Sequence, residues 1–289
     1  MRHSLRSLPI AAFALLLLAP IPLAATSAGE ASEPAVQESR PAPRSLDPTV
    51  FPVPHELRPN VEFWLQVYTR YDNDVVLLHD EWHLGVIYAA LDFGEVNDSG
   101  ISDARKRRIR RQRIEEARTK YKTILRLLAA GKVSDRWPQD QERVEQLFDA
   151  VPGDRKKYTR AQRRLRTQTC LRNRFAEAIE RSGYFMPTME RIFRDHGLPT
   201  ELTRLPFVES LFQWRARSSA AAGGIWQFMP STARFYMDMT AEIDERFDPL
   251  TATDAAARHL SANFEALDSW PLAITAYNHG RAGMKRAVR

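Results

Sequence analysis

Apolar residues in this 289-residue chain recur at steps of three and four. Ile114, Ala117, Tyr121, Ile124, Leu125 and Leu128 do so in one segment, and Ala256, Leu260, Phe264 and Leu267 in another. That spacing lines up one face of an α-helix. No pair of segments alternates convincingly with period two, so the sequence predicts an all-α fold or nearly so. Helices are predicted over 62–71, 80–91, the basic stretches 104–120 and 155–174, 140–150, 186–197, 199–212, 230–237, 251–268 and 270–280. Gly197 is placed to end one of them and Pro230 to open another.

The N-terminus predicts export. Arg2 and Arg6 precede an apolar run, Ile10 to Ala19, followed by Pro20, Pro22 and small residues. This is the order of a secretory signal, assigned to 1–28, and the run is short and proline-broken for a membrane span. No cysteine stands near the expected cleavage site, which excludes a lipid anchor there. Seven prolines between Pro34 and Pro59 make 29–59 read as an extended tether, with folding expected from about Asn60. Cys170 is the only cysteine, so there is no intrachain disulfide, and a packing role is expected for it rather than a catalytic thiol.

The formal net charge of +6 is unevenly spread. Residues 104–120 carry nine bases against two acids, and 155–174 carry nine bases and no acid, whereas 184–289 balances twelve against twelve. The second basic stretch leads into Leu171, Phe175, Ala178, Ile179 and Ser182 at helical spacing, so both stretches read as solvated helix faces. No finger, RNA-stacking motif or glycine-rich phosphate loop accompanies them, and no nucleic-acid partner is expected. In an exported chain, anionic envelope polymers or a membrane surface are the partners such faces suit. The "HDEWH" of 79–83 spaces two histidines like a zinc-protease helix, but Asp80 stands where that motif needs Glu, and no metal is expected.

Chemistry concentrates in "LPFVESLFQWRARSSAAAGGIWQFMP", 205–230. A carboxyl held among Leu205, Phe207, Val208 and Phe212 loses hydration, which raises its pKa and suits Glu209 to donate a proton at neutral pH. Gly223 and Gly224 are expected to let backbone approach a ligand. Trp226, Phe228 and Tyr277 are candidates to pack on sugar faces, and Gln227 and Asn278 offer amide donors and acceptors.

The joint pattern of "VES", Ser218, "GIWQFMPSTA", "DERFDPLTATDAAARHL" and "AITAYNHG" resembles the lytic murein transglycosylases, whose catalytic module is shared with goose-type lysozyme. The approach "YFMPTMERIFRDHGLPTELTRLPFVES" is most similar to the membrane-bound lytic murein transglycosylase D subfamily. The likeness is specific over about 184–285 and weaker over 60–183. It implies a lysozyme-like helical catalytic module at 184–289, preceded by a helical N-terminal region at 60–183, acting on peptidoglycan glycan strands in the periplasm. Carried over position by position, Glu209 matches the catalytic carboxylate and Ser218 the serine that hydrogen-bonds it. Gly224, Gln227, Tyr277 and Asn278 match residues lining the glycan cleft, and Phe228 is a further candidate for substrate binding. Gln213, Ala221 and Ala222 depart from the family's usual residues.

The implied reaction needs no cofactor. Ordinary glycosidases use two carboxylates, whereas here the substrate's own muramic-acid 6-hydroxyl attacks and a 1,6-anhydro sugar results. Two alternatives stay open: a hydrolytic muramidase recruiting Asp244, Glu245 or Asp248, and a catalytically silent peptidoglycan-binding protein. The resemblance also implies a further segment beyond Gly280 that helps close the cleft, where this chain has only "RAGMKRAVR". The expectation is therefore a fragment or truncated product with uncovered apolar surface beside Tyr277 and Ala273.

Overall fold

Val75–Asp80 is a nearly unbroken apolar run because both of its faces are covered. In the computed structural model, which describes residues 49–289, it forms β1 (Val75–Asp80). This is the middle strand of an antiparallel sheet ordered β2 (Ile87–Asp92), β1, β3 (Leu165–Thr169). Val75 and Leu77 enter one apolar core and Leu78 enters another, as alternation along a strand requires.

The sheet corrects the all-α expectation, and with it the helix predicted over 80–91. There, Asp80 closes a turn by accepting the Trp82 and His83 amides on Oδ1, at 2.8 and 3.0 Å. The two histidines of 79–83 therefore share no helix face. A strand buried on both sides shows no period of two, which hid β1. β3 is a short polar edge strand inside the second basic stretch. That stretch is accordingly not one helix but α5 (Lys156–Ala161), β3 and α6 (Arg172–Gly183). Cys170 is buried between the last two, its amide bonded to the Val75 carbonyl.

The remaining helices are α1 (Arg58–Leu65), α2 (Gly94–Asp98), α3 (Asp103–Ala130), α4 (Pro138–Leu147), α7 (Met186–Asp195), α8 (Leu205–Glu209), α9 (Pro230–Ala233), α10 (Pro249–Leu267), α11 (Trp270–His279) and α12 (Arg281–Ala287). Gly131 ends α3 in the left-handed conformation that glycine tolerates at a C-cap. As its spacing predicts, α3 buries Tyr121, Ile124, Leu125 and Leu128. These pack with Tyr88, Val144, Phe148, Tyr158 and Leu165 into a core on one side of the sheet.

The larger core lies on the other side and spans both parts of the chain. Phe51, Phe63, Trp64, Val67, Tyr68 and Phe175 share it with Met189, Phe193, Phe207, Trp226 and Leu260. Packed structure thus begins before Asn60, with Phe51 already buried. The expected signal, and residues 29–48 of the expected tether, lie outside the described residues. No helix among the described residues is long and apolar enough to cross a membrane.

Candidate active site

Glu209 is the last residue of α8, a five-residue helix with Pro206 in its first turn. The single helix predicted over 199–212 is broken, because the 3₁₀ turn Thr200–Arg204 precedes α8 and the chain reverses after it. Two consecutive non-glycine residues, Leu211 (φ 53°) and Phe212 (φ 55°), make that reversal in the left-handed region. Such residues cost about 1–2 kcal/mol each. Phe212 N–H donates to the Pro206 carbonyl at 3.2 Å, and Arg181 Nη2 on α6 donates to the Leu211 carbonyl at 3.0 Å. Ser210 Oγ donates to the Ile225 carbonyl at 2.9 Å, tying the turn to the loop that returns beside it.

The Glu209 carboxyl is partly accessible and accepts a hydrogen bond from Asn278 Nδ2 on α11, at 3.2 Å. Burial of the charged form raises its pKa to about 7, against the opposing pull of the Asn278 donor. Two phenols, Tyr68 from the first part of the chain and Tyr277 from α11, feel the Glu209 charge. Both are held protonated by burial first and that charge second.

The glycine-rich loop folds on itself. Gly224 sits at φ 75°, and a Cβ there would stand 1.7 Å from the Arg246 carbonyl oxygen. The close approach expected of a ligand is thus made by the chain's own backbone. Arg246 is the buried staple of this region. Its Nε and Nη2 fork onto Asp244 at 2.8 and 2.7 Å, while Nη1 donates to the Ala221 and Phe228 carbonyls at 2.7 and 3.0 Å. Sequence reading missed it, the only signal being an arginine between Asp244 and Asp248. Gln227 Nε2 is likewise committed to the Gly224 carbonyl, at 2.8 Å.

Several expected sugar platforms are core residues. Trp226 is 0% exposed, stacks on Phe193 at 5.7 Å and donates Nε1–H to Thr253 Oγ1 at 2.9 Å. Phe228 is 2% exposed and packs edge-on to Tyr277. Tyr277 donates its hydroxyl to the Trp226 carbonyl at 2.8 Å. Ala273 is fully buried. Ser218 Oγ accepts the Ala222 amide at 3.0 Å, and the bond to Glu209 expected of it is supplied by Asn278 instead. The exposed large apolar side chains of this half are Trp214, Met229, Phe235 and Ile243, with Tyr184, Leu250 and Val288.

The acids weighed as a second catalytic group are occupied. Asp244 is held below the usual carboxylate range by its hydrogen bonds from Arg246. Asp248 caps α10, accepting the Leu250 and Thr251 amides at 2.9 and 2.7 Å. Glu245 accepts the Asp238 amide at 2.7 Å.

Residues 189–289 match the model of the Transglycosylase SLT domain family. The C-terminal third of the chain is thus similar to SLT domains. Membrane-bound lytic murein transglycosylase D of Escherichia coli strain K12 is 38% identical over 98 residues, covering 33% of this chain and 22% of that protein. Its counterpart in Escherichia coli O6:H1 gives the same figures. A putative tributyltin chloride resistance protein of Alteromonas sp. strain M-1 is 33% identical over 94 residues, 32% of this chain and 45% of that protein. The matched part thus spans about a fifth of the length of the two transglycosylases. Glu209, Asn278 and the Arg246 staple all lie inside the matched region.

Proposed function

We propose that this chain is a peptidoglycan lytic transglycosylase that cleaves the β-1,4 bond between N-acetylmuramic acid and N-acetylglucosamine without water. One observation carries the reading: a single carboxyl, raised to about 7, stands at the end of α8, while the neighbouring acids are spent on Arg246 and on helix capping. Protonated Glu209 gives its proton to the departing glycosidic oxygen. The resulting carboxylate then removes the proton of the muramic-acid 6-hydroxyl as that oxygen bonds to C1, leaving a 1,6-anhydro end and a regenerated acid. A pKa near neutrality suits both halves of this cycle. The SLT match and the lytic murein transglycosylases among the relatives support the same chemistry. A hydrolytic muramidase needs a second free acid, which Asp244 and Asp248 do not supply.

In this reading the lysozyme-like module is 184–289, and the chain before it braces the catalytic turn through Arg181 and the shared core. Gly224 and Gln227 shape the cleft loop, Tyr277 and Phe228 support it from beneath, and Ser218 holds its tip. Trp214 and Phe235 are the exposed aromatics available to sugar faces. The signal-like N-terminus and the membrane-bound relative support work in the envelope, which this reading puts on the periplasmic side. Incubation of purified peptidoglycan with the chain and with Glu209→Gln tests the reading. Release of soluble muropeptides by the first alone is expected, and equal release by a folded Gln variant would remove Glu209 from the chemistry.

A further inference from the structure

Away from the matched region, a groove of about 310 Å³ is lined by Trp82, Thr159, Arg160, Arg163 and Arg164. Its size falls in the range of small-ligand sites, and its lining holds three arginines and no acid. Resting on the proposed function, we propose that this groove is a second glycan site, which grips a carboxylate-bearing sugar unit of the peptidoglycan strand outside the catalytic cleft.

The groove is built rather than incidental. Arg164 is only 7% exposed, and its Nη2 stands 3.0 Å from Oδ2 of the fully buried Asp80. The other oxygen of Asp80 fixes the turn carrying Trp82, through the Trp82 and His83 amides. The Arg164 guanidinium lies 5.0 Å from the Trp82 ring centroid. One ion pair therefore positions both the aromatic wall and Arg164 beneath it. Asp80 balances the Arg164 charge, so the positive charge offered at the groove is that of Arg160 and Arg163. The Arg164 Nε is buried without a hydrogen-bond partner.

Charge complementarity names the occupant. Arg160 and Arg163 are exposed, and neither forms an ion pair among the described residues, whereas the nearby acid Glu81 is taken by Arg166 at 2.8 Å. Guanidinium forks recognise carboxylates bidentately. Trp82 is 50% exposed and offers an apolar ring beside them. A pyranose carrying a lactyl or peptide carboxylate presents both features in one unit. A recessed wall with an arginine floor suits such a unit better than the flat headgroup plane of a bilayer.

The test uses the full chain carrying Glu209→Gln, so that strands are bound and not consumed. Binding to purified insoluble peptidoglycan is measured by sedimentation, on native strands and on strands whose carboxylates have been amidated. Arg160→Glu combined with Arg163→Glu, both at exposed positions, is expected to weaken binding to native strands about tenfold. The same pair is expected to change little on amidated strands, where binding is already weak. Trp82→Phe is expected to retain more of the binding than Trp82→Ala. In the chain with Glu209 intact, the double variant is expected to cleave short soluble glycan fragments at the unaltered rate. Unchanged binding to native strands overturns the proposal, as does an equal loss on amidated ones. Stronger capture by phosphatidylglycerol vesicles than by strands, abolished by the double variant, also overturns it and makes the groove a membrane contact. Binding is read apart from cleavage, so a chain that binds through the groove but never cuts contradicts the proposed function alone.

Discussion

Asp80 and Glu209 are both carboxylates set among apolar side chains, yet they are solvated by the protein in opposite ways. Asp80 is fully buried, faces Arg164 at ion-pair distance and accepts two backbone amides. Glu209 forms no ion pair among the described residues and has one amide donor, Asn278. A buried acid given a cation becomes a fixed structural charge. One denied a cation keeps its proton near neutrality, where proton transfer needs it. The two halves of the molecule thus use the same functional group as a brace and as a proton store.

The same isosteric change breaks this comparison most directly. Glu209→Gln is expected to lower glycan cleavage by about 10²–10⁴-fold, measured as soluble muropeptide release. It is also expected to stabilise the fold at alkaline pH. Folding raises this pKa from 4.5 to about 7, so between those values the native chain keeps a proton that the unfolded chain has released. Stability therefore falls as pH rises through that window, and the Gln variant escapes the fall. Above pH 7 the gain is on the order of 2–3 kcal/mol, read from urea unfolding at pH 5 and pH 8. Asp80→Asn is expected to do the reverse. Arg164 is left buried without its counter-charge, at a cost of about 3–5 kcal/mol in the same urea experiment, while the folded fraction still cleaves within a few-fold of the parent rate.

Smaller changes sharpen the comparison. Asn278→Ala removes the donor that pulls the Glu209 pKa down, so the alkaline limb of the kcat/KM profile is expected to move to higher pH. A limb that stays in place would show that the bond does not tune the acid. Ser218→Ala is the mildest change, because its hydroxyl serves the Ala222 amide. It is expected to cost about 0.5–1.5 kcal/mol of stability and little rate. A hundredfold slower Ser218→Ala variant of unaltered stability would return the serine to the chemistry.

Glu209 was legible because one acid in an apolar run with a raised pKa is a local property of neighbouring residues. The helices α3 and α10 were legible for the same reason, since period 3.6 is written along the chain. The sheet was not, because β1 is covered on both faces and its partner β3 is polar, so neither alternates. The glycines and aromatics of the cleft loop were read as ligand-facing because composition cannot say which side a residue turns to. Gly224 answers to the Arg246 carbonyl, and Trp226 to Phe193 and Thr253, contacts made by residues distant in sequence. Arg181 and Arg246, which hold the turn after Glu209 and the glycine-rich loop, had no signal beyond their charge.

In the proposed function one carboxyl performs both proton transfers and no water enters the bond. Mass analysis of muropeptides released from purified peptidoglycan tests it directly, with Asp244→Asn and Asp248→Asn measured beside the parent chain. Muramic-acid ends lighter by one water than hydrolysed ends are expected, with the same products from both Asn variants. Reducing ends of full mass, or the disappearance of all products in either folded Asn variant, would contradict it.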